Sequence, residues 1–194
     1  MNLFFLDHDL DKCAEYHVDK HIVKMVLEAA QIICTNLWID QYIGAAPRLL
    51  VKEENAVITQ YRRDLKAGMP RYLPYTPTMQ NHPSTVWART SIENFYWTHC
   101  YANALADEYT YRYGKVHKSI EVINSLPDPQ NIPNQGLTPF ALAMPDILKN
   151  EQDPIQSYRD YYHLDKATFA VWSHRERPPW WDDNLADYEK RITR

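Results

Sequence analysis

The sequence predicts a mainly α protein, a single-domain helical bundle with long proline-rich loops. Three observations carry this expectation. Two stretches of twenty or more residues repeat their apolar side chains at helical spacing. Only four glycines occur in 194 residues, too few for a many-turned sandwich or a glycine-rich phosphate loop. The chain is 45% apolar, and its length suits one domain with a full core, residues 1–194, with 175–194 left as a charged and aromatic tail that the pattern does not place.

Asn2 to Leu6 is a short apolar run, read as a strand or an extended lead-in. Asp9 or Asp11 then offers an N-cap for a helix running to about Leu37. Val51 to Lys66 is helical in pattern, and the following MPRYLPYTPTMQNHP is a loop, because each proline removes a donor and biases its predecessor away from helix. A second long helix starts at Pro83 or Ser84, proline suiting a first turn, and runs to Tyr113, with Gly114 as its stop. Lys115 to Asn124 adds a short helix. SLPDPQNIPNQGLTP reads as a loop longer than about 12 residues, a length often associated with function or mobility. Thr138 caps a short helix through Ala143, and Pro154 to Tyr162 forms another.

The formal charge is −4 and the pI about 6.0, which weighs against a general duplex binder while leaving nucleotides and other small anions open. Cys13, Cys34 and Cys100 are odd in number and lack metal-site spacing, so they read as buried thiols in a reducing compartment. The N-terminus carries charges too early for a signal peptide, and no uninterrupted apolar run approaches membrane-spanning length. The expectation is a cytoplasmic protein with no membrane partner, no cofactor and no metal; homo-oligomerisation stays open.

On a helix, His17, His21, Lys24, Glu28 and Gln31 fall in one narrow stripe, while roughly 220° of the circumference is apolar. A helix so largely surrounded must turn its one polar line to water, a cleft or a ligand. A solvated face explains the stripe, and a surface ion pair explains Lys24 with Glu28 at i, i+4. The other reading is chemical. A carboxylate one turn from an amine in a partly desolvated groove acts as acid or base, and histidines beside it hold phosphate or move protons. His17 and His21 also have metal-clamp spacing, but no third ligand accompanies them.

Asn81 and His82 precede a helix start, where free N–H groups favour an anion or are simply capped. Asn94 and Glu108 lie on an aromatic stripe, as satisfied interior groups or as readers of a base edge. Arg112, Lys115, His117 and Lys118 sit among three tyrosines, as a solvated basic cluster or a phosphate grip.

The runs YHVDKHIVKMVLEAAQ, NHPSTVWA and EYTYRYGKVHK together resemble a family of uncharacterised bacteriophage proteins over most of the chain. More remotely, Asp19, His21 and Glu28 stand at the spacing of the catalytic helix of the pyrimidine-dimer DNA glycosylase (endonuclease V) family, and Asn2-Leu3 also looks alike. This second resemblance implies an all-helical fold and base-excision chemistry, in which an N-terminal amine attacks the sugar C1′ with help from the carboxylate, here Glu28. Asn2 is too bulky for efficient removal of Met1, so the Met1 amine or Lys24 takes the nucleophile's place. The implied activity is a DNA N-glycosylase/lyase on a damaged or modified base, with His21, Lys24 and Glu28 catalytic. His17, Gln31, His82, Asn94, Glu108, Arg112, Lys115, His117 and Lys118 hold the phosphate or ligand. The competing reading is a non-catalytic protein that sequesters a nucleotide-derived immune signal.

Overall fold

A computed structural model describes residues 1–184 and 188. Among them are seven α-helices and no strand: α1 (Leu10–Glu15), α2 (Asp19–Tyr42), α3 (Lys52–Lys66), α4 (Pro83–Ala88), α5 (Ile92–Tyr113), α6 (Lys118–Asn124) and α7 (Pro154–Tyr161). The expected mainly α architecture is present. α2 is the central helix and packs against α4, α5 and α6. By length and composition it could cross a membrane, yet most of its residues lie in the core.

Asp9 caps α1, accepting from the N–H groups of Asp11 and Lys12. The expected single helix to Leu37 is broken, however. α1 ends at Glu15, and α2 starts at Asp19 and runs on to Tyr42. Neither glycine nor proline stands at the corner; a tertiary contact makes it. Arg112 donates to the carbonyls of Glu15 (2.8 Å) and His17 (2.9 Å), satisfying acceptors at the break.

The expected helix from Pro83 to Tyr113 is likewise split, at Arg89–Ser91. Arg89 is fully buried and donates to the carbonyls of Ala46 (2.7 Å), Gln80 (2.7 Å) and Arg48 (2.6 Å), tying two loops to the corner. Burial lowers its pKa to about 10. The side chain of Ser91 then caps α5. Gly114 stops α5 at φ 62°, the left-handed conformation expected there. α6 starts three residues later than expected because the His117 side chain caps it through Ser119 N–H.

Residues 138–143 form an irregular loop, not a helix. Thr138 spends its polar groups on Asn94 and Trp87, and Phe140 stacks on Phe5 (3.9 Å between ring centres) and Trp87 (4.6 Å). Packing of this aromatic side chain between two rings overrides the weak local signal for a helix. The 126–138 loop is held by Asp40, whose carboxylate accepts from Gln130 N–H (2.7 Å) and Asn131 N–H (2.8 Å).

Leu3 to Leu6 are buried and lie in neither helix nor strand, threading the core beside Tyr101, whose hydroxyl accepts from Phe4 N–H. α7 is capped by Asp153 and runs into a π-turn, Tyr162–Lys166. Of the expected tail, 185–187 and 189–194 lie outside the described residues. Within its described part, Arg175 pairs with Glu108 and Trp181 packs on Trp172. Cys13 and Cys34 are buried as expected, whereas Cys100 is exposed on α5.

Candidate functional site

The first residues end at a cavity of about 230 Å³. Its floor is the α2 face bearing His21, Lys24, Met25 and Glu28. Its walls come from Met1, Asn2 and Phe4, from His82 ahead of α4, and from Ala143, Tyr161 and Lys166. Glu28 is only 8% exposed and is shared between donors. Oε2 lies 3.8 Å from the Met1 amine and accepts from Asn2 N–H at 3.1 Å, while Oε1 lies 2.9 Å from Lys24 Nζ.

Asn2 fixes the terminus. Its Nδ2 donates to Ala143 O (2.9 Å), and its Oδ1 accepts from Ser84 Oγ and Tyr158 OH, each at 3.2 Å. The amine is therefore held against the carboxylate from three sides of the fold. On the far wall Lys166 Nζ bonds to Tyr161 OH (3.3 Å) and to Asp165 (2.5 Å). Three cationic groups, Met1, Lys24 and Lys166, thus line a space that one carboxylate, Glu28, shares. Local charge of that sign draws anions whatever the net charge of the chain.

His21 stacks on Phe4 (4.5 Å between ring centres) and shares a hydrogen bond with Tyr162 OH (2.6 Å). Burial first, then the electrostatic opposition of neighbouring His17 to a second imidazolium and the charges of Lys166 and Lys24, pushes its pKa down to about 2. His17 lies in the α1–α2 corner behind the cavity, fully buried. Its Nδ1 can only donate to Cys13 O (2.6 Å), so its Nε2 accepts from Tyr101 OH (2.8 Å). Burial lowers its pKa to about 3. The two rings are 6.2 Å apart, each engaged with its own tyrosine. The half-buried His82 is also held below the usual histidine range, by burial first and the terminal amine second, with Glu28 opposing.

These histidines set a pH dependence. Both pKa values fall on folding, so the unfolded chain binds the extra protons, and the stabilising contribution is complete above the unfolded value near 6.5. It is lost as pH falls from there towards about 3 for His17 and about 2 for His21. Each should remove about 1.4 kcal/mol of stability per pH unit inside that window. Denaturant unfolding at pH 7, 6 and 5 should show the loss, and His17→Gln should flatten it; identical midpoints across that range would refute neutral burial.

The remaining candidates lie elsewhere. Gln31 is half-buried one turn along α2, outside the cavity lining. Asn94 is buried and spent on Trp87 O and Thr138. Glu108 and Arg112 form a buried ion network with Asp19 and Arg175. Lys115 and Lys118 are exposed, and His117 reaches Val23 O on α2 (3.1 Å). A second cavity, about 310 Å³, is bordered by Asp11, Glu15, Asp107, Glu108, Tyr111 and Arg175, mostly acidic side chains that repel phosphate. The residues that the pattern missed are Asn2, Phe4, Ala143, Tyr161 and Lys166. Asn2 carried a signal in its likeness to the glycosylase terminus; Lys166 carried none.

The sequence model of a family described as pyrimidine dimer DNA glycosylase matches residues 1–122. That span contains the amine, Lys24, Glu28 and His82, and leaves Ala143, Tyr161 and Lys166 outside it. No curated protein and no solved structure matches the chain.

Proposed function

The chain belongs to the pyrimidine dimer DNA glycosylase family, and from that premise we propose that it is a DNA N-glycosylase/lyase acting on a damaged or modified base, with the Met1 amine as nucleophile and Glu28 as acid/base. The observation that carries this reading is the amine held 3.8 Å from a nearly buried carboxylate at the wall of a cationic cavity.

The amine must first lose a proton, and Glu28 is the base beside it. The nitrogen then attacks C1′, the glycosidic bond breaks, and the base departs with the bonding pair and is protonated by water. The adduct nitrogen gives a second proton to solvent. O4′ receives the proton Glu28 took, and the sugar ring opens to a C1′ imine. Removal of a C2′ proton then expels the 3′ phosphate. Lys24 is the other amine on Glu28, but its side chain is 65% exposed, and α-amines as a class are weaker bases than lysines. His21 stays neutral at the wall, and Lys24 and Lys166 offer charge to the flanking phosphates. The same reading assigns the protein to the cytoplasm with DNA as its partner and needs no cofactor.

Borohydride reduction in the presence of DNA carrying an abasic site or a pyrimidine dimer should give a covalent adduct, and peptide mass mapping should place it on Met1. An adduct on Lys24 would reassign the nucleophile. Absence of adduct on both DNAs would remove the reading. If free nucleotides then stabilised the protein, by about 2.7 kcal/mol at a hundredfold their Kd, and were recovered intact, sequestration would take its place.

A further inference from the structure

A second groove, about 520 Å³, adjoins the reactive cavity through His82, which lines both. Its other lining residues are Arg62 and the Thr78–Asn81 turn. At the tip stands Met79, 50% exposed, with φ +49°. It is the one non-glycine residue with positive φ among the described residues. An unbranched apolar side chain rarely takes that conformation, and here it gains little burial in return.

The turn is nevertheless fixed at every neighbour. Thr78 exchanges two hydrogen bonds with Thr35 on α2, N–H to Oγ1 (3.1 Å) and Oγ1–H to the carbonyl (3.2 Å). Gln80 is held through its carbonyl by Arg89 (2.7 Å) and through its side chain by Asn55 (2.7 Å) and Arg62 (3.2 Å). Asn81 accepts from Leu50 N–H (2.7 Å). His82 N–H closes the turn on Met79 O (2.9 Å). Such over-determined strain beside a reactive site is characteristic of a working element. The surroundings hold the backbone in place and leave the side chain half exposed at the groove.

We propose that Met79 is an intercalating wedge, entering the base stack of duplex DNA beside the nucleotide whose sugar the cavity receives. This rests on the DNA-directed reading above. An enzyme that works on C1′ within a duplex opens the stack at that step, and the opened step needs an apolar filler. Flexible, polarisable methionine suits that filling, as other unbranched or compact apolar wedges do. Met79 and His82 are the two ends of one closed turn, and His82 lines the cavity wall, so the wedge stands beside the nucleotide whose sugar the cavity receives.

Opening of a paired stack is required only of duplex DNA, so the test compares two substrates, one oligonucleotide carrying a pyrimidine dimer as a duplex and as a single strand. Met79→Ala should slow borohydride-trapped adduct formation on the duplex by about tenfold or more, leave the single strand unchanged, and abolish the fluorescence rise of a 2-aminopurine next to the site. Met79→Leu should restore the wild-type behaviour. Equal rates for Met79→Ala and wild type on the duplex, or equal slowing on both substrates, would overturn the wedge alone. Wild-type protein that traps neither substrate would overturn the reading beneath it and the wedge together.

Discussion

Glu28→Gln should cut adduct formation roughly 10²–10⁴-fold, the range a positioned acid/base contributes, while the protein stays folded. Glutamine keeps the side chain's shape, and its carbonyl oxygen can still accept from Asn2 N–H, so the terminus keeps its seat. What it loses is the charge and the proton-carrying function between the Met1 amine and Lys24. Lys24→Met separates the two roles. An ion pair with one side chain 65% exposed contributes little, so that variant should retain most of the rate if Met1 is the nucleophile. Single-turnover trapping measures both variants, and a thermal melt checks the fold. A Glu28→Gln protein as fast as wild type would end the proposal for this carboxylate.

The mainly α architecture and the polar line of α2 were legible because a helix places residues by local arithmetic. His21, Lys24 and Glu28 meet at one cavity since spacings of three and four share a face. His17 belongs to the same arithmetic but not to the same helix. Arg112 reaches the corner from 95 residues away, a contact that no spacing in the first forty residues encodes. The break at Arg89 has the same character, a buried guanidinium gathering distant carbonyls. Tyr161 closes α7 and Lys166 ends the π-turn after it, and their place at the cavity is set by how α7 docks on the rest of the fold, which no local spacing encodes. The net charge of −4 misleads for a related reason. Acidic side chains gather at the other cavity, while the Glu28 cavity is cationic. A sum over the chain hides that separation.

The second large effect belongs to Arg112, which couples fold to site. Its side chain is fully buried and bonds to Glu108 (2.6 Å), Asp19 (2.9 Å), His17 O and Glu15 O. Burial alone would raise the pKa of Glu108, but the hydrogen bonds of Arg175 and Arg112 outweigh it and hold the carboxyl below its usual range. Asp19 behaves alike, burial being outweighed by Ser173 and Arg112. Arg112→Met fills a similar space yet leaves Glu108 and Asp19 under-compensated and two corner carbonyls without donors. Breaking a buried pair in this way costs about 3–5 kcal/mol. At this chain length that is a fall of roughly 6–20 °C in Tm. Both carboxylates contribute stability above their unfolded pKa values, lost as pH falls through the depressed folded ones, so the variant should lose part of this acid-range dependence. Adding Glu108→Gln and Asp19→Asn to Arg112→Met removes the orphaned charges and should recover part of the Tm. Recovery would assign the loss to charges left unpaired; a triple variant no more stable than the single one would assign it to the corner's backbone. In either case the N-terminal turn of α2 loses its clamp, and adduct formation through Glu28, two turns further along that helix, should fall with it.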